Sequence, residues 1–175
     1  MRKALYVMGI LHDTDVDWLA SQGRSLSIPK GHILIREGEP VDALFILLDG
    51  SLEVSTGSRQ IATLLSGEIV GEISFVDSRP PLATVAAAQA CRVLAVSRDR
   101  LRAKIASDPW FASRFFQALA TFLADRLRMT TARLGYGSAN QDQNHNPGEE
   151  IDLEMMDSAS LAAVRFDKLL KRLAG

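Results

Sequence analysis

The 175 residues, 47% hydrophobic and 23% charged, compose an ordinary globular chain of one domain with appendages. Those proportions exclude a disordered chain, a collagen repeat and a membrane span. Twenty basic against 21 acidic residues, a net charge of -1, leave no electrostatic footprint of a nucleic-acid binder. Cys91 is the sole cysteine, which rules out an internal disulfide and a cysteine-based zinc site.

The first apolar run, Ala4 to Leu11, is broken by Gly9 and halted by His12 and Asp13. It is too short to span a bilayer and carries no cleavage-site pattern, so the expected location is cytoplasmic. Asp13 or Thr14 then caps a short helix with Val16, Leu19 and Ala20 on one face, ended near Gly23. Asp13-x-Asp15-x-Asp17 looks like the start of a calcium loop. Trp18 stands where that loop needs Gly and Arg24 where it needs Glu, so the cluster reads as helix-capping acids.

Eight short strands follow, at 25–28, 32–36, 43–48, 51–55, 60–64, 69–70, 83–88 and 92–96. They are bounded by turns such as Pro29-Lys30-Gly31, Asp49-Gly50, Thr56-Gly57-Ser58 and Ser66-Gly67. Short strands with tight turns predict an antiparallel barrel or jelly roll. A short helix over 98–106 comes next. Asp108 at the N-cap and Pro109 at the first helical position then open a long helix that runs to Leu134.

The charge pattern exposes the rest of the organisation. Residues 135–149 contain one aromatic and almost nothing to bury, and read as a flexible polar linker. Asp142, Glu149, Glu150, Asp152, Glu154 and Asp157 make 140–157 acidic, with no Lys or Arg. Within 150–175 an amphipathic tail helix is expected over 158–173. Ala162, Phe166, Leu169, Leu170 and Leu173 share one stripe, while Arg165, Lys168, Lys171 and Arg172 fall mostly elsewhere. Its docking residues are expected to be Phe166, Leu169 and Leu170. The division is therefore a main domain over 1–134, the linker, and a tail that docks on the barrel, a twin subunit or another protein.

Nothing in the pattern supports catalysis. His12, His32 and His145 are isolated from one another, so a histidine metal site is not expected, and Ser66 and Ser74 have no activating partner at a recognisable spacing. The chain is read as a non-enzyme.

The ordered set of segments carries a resemblance. A helix, a Pro-x-Gly turn, Ile33 to Pro40 (ILIREGEP), Ala43 to Gly50 (ALFILLDG), Gly67 to Phe75 (GEIVGEISF), Ala83-Thr84-Val85 and two helices together resemble the cyclic-nucleotide-binding domain of the catabolite activator family, over about residues 8–134. The resemblance implies an α+β fold, in which an eight-stranded antiparallel β-roll with flanking helices carries a phosphate-binding cassette around Gly71 to Ala83. The long helix, about 108–134, lies over the ligand pocket. It implies cAMP or cGMP as ligand, with no other cofactor required, and Val70, Gly71, Glu72, Ile73, Ser74, Arg79, Leu82, Ala83 and Thr84 as cassette residues.

The cassette has a physical rationale. A short helix starting at Gly71 or Glu72 turns free N–H groups toward an anion, and Gly71 allows close backbone approach. Glu72 stands where the family's Glu accepts a hydrogen bond from the ribose 2′-hydroxyl, a role favoured over that of an ordinary helix N-terminal acid. The pattern departs from the family at Pro81-Leu82-Ala83, where an Arg should precede the small residue and Ala. The phosphate-pairing guanidinium is missing, and Pro80 and Pro81 stiffen the loop that would have to swing Arg79 in. Arg79 is accordingly expected to face solvent.

On the long helix, Asp125 to Thr131 (DRLRMTT) resembles the stretch whose hydroxyls reach the adenine amino group across the family's dimer, which nominates Thr130 and Thr131. The same residues also fit a seam. Phe116, Ala120, Leu123, Leu127, Thr130 and Leu134 alternate steps of four and three, while Phe111, Phe115, Leu119 and Phe122 make a second apolar flank. One flank packs on the barrel and the other, through Phe116, Leu123, Leu127, Thr130 and Leu134, makes a homodimer.

The family's DNA-binding winged helix has no counterpart in the residues after Leu134, so no DNA contact is expected. Two functions remain. One is a nucleotide-sensing module, weak or altered in specificity, that signals through helix rearrangement to a protein partner. The other is a dimeric docking module that has lost the ligand.

Overall fold

The computed structural model describes residues 6–133 and 153–174. The chain runs α1 (Tyr6–Ile10), α2 (Asp13–Gln22), β1 (Arg24–Ile28), β2 (Ile33–Ile35), β3 (Ala43–Asp49), β4 (Ser51–Thr56), β5 (Arg59–Leu65), β6 (Ile69–Val70), α3 (Glu72–Asp77), β7 (Thr84–Ala87), β8 (Cys91–Ser97), α4 (Arg98–Ser107), α5 (Pro109–Arg133) and α6 (Leu153–Ala174). The strands form two four-stranded antiparallel sheets, ordered β1-β8-β3-β6 and β2-β7-β4-β5. This is the α+β roll with flanking helices that the family resemblance implies, and it fits the antiparallel barrel or jelly roll expected from the turns.

The core divides in two because one sheet is covered on both faces. In β3, Leu44, Ile46 and Leu48 face a cluster shared with the helices, while Leu47 joins Leu52, Leu64, Val85 and Val93 inside the roll. β8 alternates likewise, with Leu94 and Val96 toward the helices and Cys91 and Val93 inward. A strand buried on both faces reads as a continuous apolar run, which is how Ala43 to Leu48 is written.

The long helix begins as its capping residues dictate. The Phe111 N–H donates to Asp108 Oδ1 at 2.9 Å, and Pro109 occupies the first helical position. Phe111, Phe115, Ala118, Leu119 and Phe122 are buried in the helical cluster, and the Phe111 and Phe115 rings stack at 5.5 Å. The other flank stays open. Phe116 is 45% and Leu127 67% exposed, Ala120 and Thr130 are exposed, and Leu123 is half-buried. Leu134 and the expected linker over 135–149 lie outside the described residues.

Three local expectations need correction. The N-cap of α2 is His12, whose N–H donates to Asp15 Oδ2 at 2.9 Å; Asp13 is already helical. Residues 6–10 form a helix of their own, α1, too short to leave a periodicity. The tail helix starts at Leu153, five residues before the stripe that announced it. α6 packs on α1 and α2, burying Ala162, Phe166 and Leu169, with Leu170 partly buried.

Candidate functional site

The candidate site is the corner where β6 turns into α3. β6 is two residues long and pairs with β3 through Phe45–Val70 and Ile46–Ile69. The chain must then reverse, and Gly71 does so at φ 88°. A Cβ there would lie 2.9 Å from the Ala43 carbonyl oxygen, so glycine is demanded by both conformation and space. The closest approach at Gly71 is thus to the protein's own strand.

α3 is fastened at several points. The Phe75 N–H donates to the Gly71 carbonyl at 3.0 Å, and the Phe75 ring meets Phe115 of α5 edge-on at 5.8 Å. Ser78 closes the helix in the left-handed region at φ 60°, its N–H donating to the Ser74 carbonyl. Arg98, at the start of α4, donates to that same carbonyl at 2.7 Å and to the Val41 carbonyl at 2.8 Å. Val70, Glu72, Ser74 and Phe75 are buried, whereas Ile73 and Val76 are exposed on the outer side.

Glu72 is 2% exposed, and a carboxylate so placed needs a cation. Arg126 of α5 supplies it. Its Nη1 lies 2.5 Å from Glu72 Oε1, its Nη2 donates to the Ile69 carbonyl at 3.2 Å, and the guanidinium stacks over the Phe122 ring at 4.6 Å. Burial pushes the Glu72 carboxyl above its ordinary range, with Arg126 pulling the other way. Neither Arg126 nor Arg98 is nominated by the sequence alone. The signal that finds them is an acid on a buried corner, which implies a guanidinium elsewhere.

The loop after α3 is stitched to neighbouring turns through its backbone. The Pro81 carbonyl accepts the Gly38 N–H at 2.9 Å, the Leu82 carbonyl accepts the Thr56 hydroxyl at 3.4 Å, and the Thr84 hydroxyl accepts the Glu37 N–H at 3.2 Å. Ala83 is half-buried; Leu82 is 79% exposed. Arg79 stays local. Its Nε lies 2.9 Å from Asp77 Oδ2 and its side chain is 81% exposed, so the guanidinium sits in solvent beside Asp77. Thr130 and Thr131 are exposed on α5, one turn beyond Arg126, and the Thr130 hydroxyl donates to the Arg126 carbonyl at 2.9 Å. The structure thus sets Glu72 against Arg126 and the Ser74 carbonyl against Arg98, with Val70 and Gly71 at the same corner. It turns Arg79, Ile73 and Leu82 outward.

Beside this corner the roll interior is incompletely closed. Phe45, paired with Val70, is half-buried together with Leu34 and Val54, whereas Leu47, Leu52 and Val93 deeper in the roll are fully buried. Among the described residues there is no cluster of potential metal ligands, and no helix is long and apolar enough to cross a membrane.

A two-sheet roll with a glycine-turned corner and a buried acid on its short helix is the arrangement to set beside known proteins. Residues 25–108 match the cyclic nucleotide-binding domain family. The CRP-like cAMP-activated global transcriptional regulator of Mycobacterium tuberculosis is 29% identical over 121 residues, covering 66% of this chain and 52% of that protein. The chain therefore spans about half the length of that relative. Among solved structures, a cyclic nucleotide-binding domain from Methylobacillus flagellatus superposes with a TM-score of 0.67 at 25% identity, covering 77% of this chain and 78% of that one. The Thermus thermophilus catabolite activator protein superposes at 0.60 with 22% identity, over 94% and 84%, and supports the fold alone.

Proposed function

We propose that the chain is a regulatory module that takes a cyclic nucleotide, cAMP or cGMP, at the Gly71–Thr84 cassette, weakly or with altered preference, and reports occupancy through α5 to a protein partner. The observation that carries this reading is the Glu72–Arg126 pair, because it ties the one acid suited to a ribose hydroxyl to the helix that would move. A ribose hydroxyl donating to Glu72 enters a carboxylate whose Oε1 already holds Arg126. Binding therefore alters the contact that positions α5. The half-closed end of the roll at Leu34, Phe45 and Val54 supplies an apolar wall for the rest of the ligand.

Weak affinity follows from the loop. Pro81 replaces the guanidinium that pairs with phosphate, and a hydrogen bond to a charged group is worth roughly 1.5–3 kcal/mol. Arg79, engaged with Asp77 in solvent, offers no substitute. The same two facts support the second reading, a ligand-independent docking module that keeps the roll and the long helix.

In either case the exposed Phe116, Leu127 and Thr130 with the half-buried Leu123 suit a homodimer seam on α5. The acid, the apolar wall and the regulatory relatives favour binding over catalysis, and a cytoplasmic setting suits the likeness to cAMP-activated regulators. Residues 1–134, 135–149 and 150–175 are taken as sensor, connection and tail. Calorimetry with cAMP and cGMP on the wild-type protein and on Pro81→Arg tests the assignment. Binding that strengthens in the variant supports the sensing module, and none in either protein supports the docking module.

A further inference from the structure

We propose that α6 is an electrostatic latch: a helix docked reversibly on α1 and α2 by its charged edge, which undocks as a unit while the roll stays folded. The proposal rests on the tail and its seat, and needs no nucleotide. Asp13 and Asp17 lie one turn apart on α2, and Arg165, Lys168 and Arg172 follow at steps of three and four on α6, so each helix presents one charged row. The rows meet. Arg165 Nε lies 2.7 Å from Asp13 Oδ1, Lys168 Nζ lies 3.4 Å from Asp13 and 3.5 Å from Asp17, and Arg172 pairs with Asp17. Arg165 also donates to the Met8 and Gly9 carbonyls at 3.2 and 2.9 Å, satisfying acceptors that the end of a five-residue helix leaves over.

The acidic row that looked like the start of a calcium loop is thus a receptor for a basic helix of the same chain. Among the residues of α6 whose burial is described, Ala162, Phe166 and Leu169 are buried, and Leu170 and Leu173 pack partly buried beside them.

A second, independent observation separates α6 from the roll. An open groove of about 350 Å³ runs between them, lined by Leu48, Ser66 and Arg92 on the roll and Phe166, Asp167 and Leu170 on the helix. The groove opens to solvent, so along it the docked helix makes no close packing with the roll. Docking therefore combines the apolar stripe with the charged edge, whose Asp13, Lys168 and Arg172 are roughly half exposed and open to screening by salt. α1 packs against both α5 and α6, so release of the latch uncovers a face next to the long helix. Once undocked, a single helix of this length is marginal in water, and its amides exchange freely.

Hydrogen exchange on the full chain tests this. Raising NaCl from 0.05 to 1 M should speed exchange across 160–173 by about fivefold or more, with β3 and β8 unchanged. At low salt Asp17→Lys should speed the same amides about 5- to 30-fold, and Asp17→Lys/Arg172→Asp should bring them back within about threefold of wild type. Insensitivity of α6 to both salt and Asp17→Lys overturns the proposal. So does acceleration of α6 together with β3 and β8, or failure of the reversed pair to restore protection.

Discussion

Glu72 and Arg126 are separated by 54 residues of chain and by 2.5 Å in space, and their contact is where the cassette helix grips the long helix. A second grip, Phe75 against Phe115, lies on the same two elements. α3 thereby holds α5 by one polar and one apolar contact.

Removing the cation isolates the acid. Arg126→Met is expected to cost about 3 kcal/mol of stability near neutral pH, because an unpartnered buried carboxylate remains. Burial raises the Glu72 carboxyl in the folded state, so the native protein holds this proton more tightly than the unfolded chain does. The deficit should therefore be small below the ordinary glutamate range and grow as pH rises through and above it. Urea unfolding of Arg126→Met and Arg126→Met/Glu72→Gln between pH 4 and 8 checks this, and the double variant should lose most of the pH dependence.

Asp15 titrates in the opposite sense. Burial opposes its charge, yet the Arg114 guanidinium, at 2.6 and 2.8 Å, and the His12 N–H hold it below the ordinary aspartate range. Its contribution is present above the unfolded aspartate pKa and is lost as pH falls through the lowered folded value. Asp15→Asn should cost about 3 kcal/mol at pH 7, and the gap to wild type should narrow in strong acid. Thermal unfolding at pH 7 and pH 3 measures it.

Gly71→Ala should destabilise the fold by about 1–3 kcal/mol or more, since it adds positive-φ strain to a Cβ 2.9 Å from the Ala43 carbonyl. Gly31→Ala shares the positive φ but meets nothing within 4 Å, and should cost less. Comparing the two denaturation midpoints separates crowding from backbone strain.

These pairs also mark what sequence reveals. The roll was legible because its turns are written in Gly, Asp and Pro at tight spacing, and because β3 and β8 are apolar on both faces. The start of α5 was legible from Asp108-Pro109. The corner at Gly71-Glu72 was legible in place, although the glycine turned out to be crowded by strand β3. The partners of Glu72 and Asp15 were not: Arg126 and Arg128 look alike in DRLRM, and Arg114 lies 99 residues from Asp15. Charge pairing across such separations follows from the folded topology. Asp13, Asp15 and Asp17 were legible as acids at a helix start, but their counter-charges were not for the same reason, since these come from α5 and α6.

The exposed flank of α5 makes an oligomer prediction. Leu127 is 67% exposed and one turn from the half-buried Leu123, so Leu127→Glu should convert a dimer to a monomer without loss of the roll. Sedimentation velocity of both proteins decides it, and a monomeric wild type would contradict the seam.

The central claim is that the cassette accepts a cyclic nucleotide and lacks one guanidinium. Calorimetric titration of cAMP into wild type, Pro81→Arg and Pro81→Arg/Glu72→Ala tests it most directly. Weak or undetected binding in wild type, about tenfold or greater tightening in Pro81→Arg, and loss of that gain in the double variant are the predicted results. A folded Pro81→Arg protein that binds no better than wild type would contradict the account.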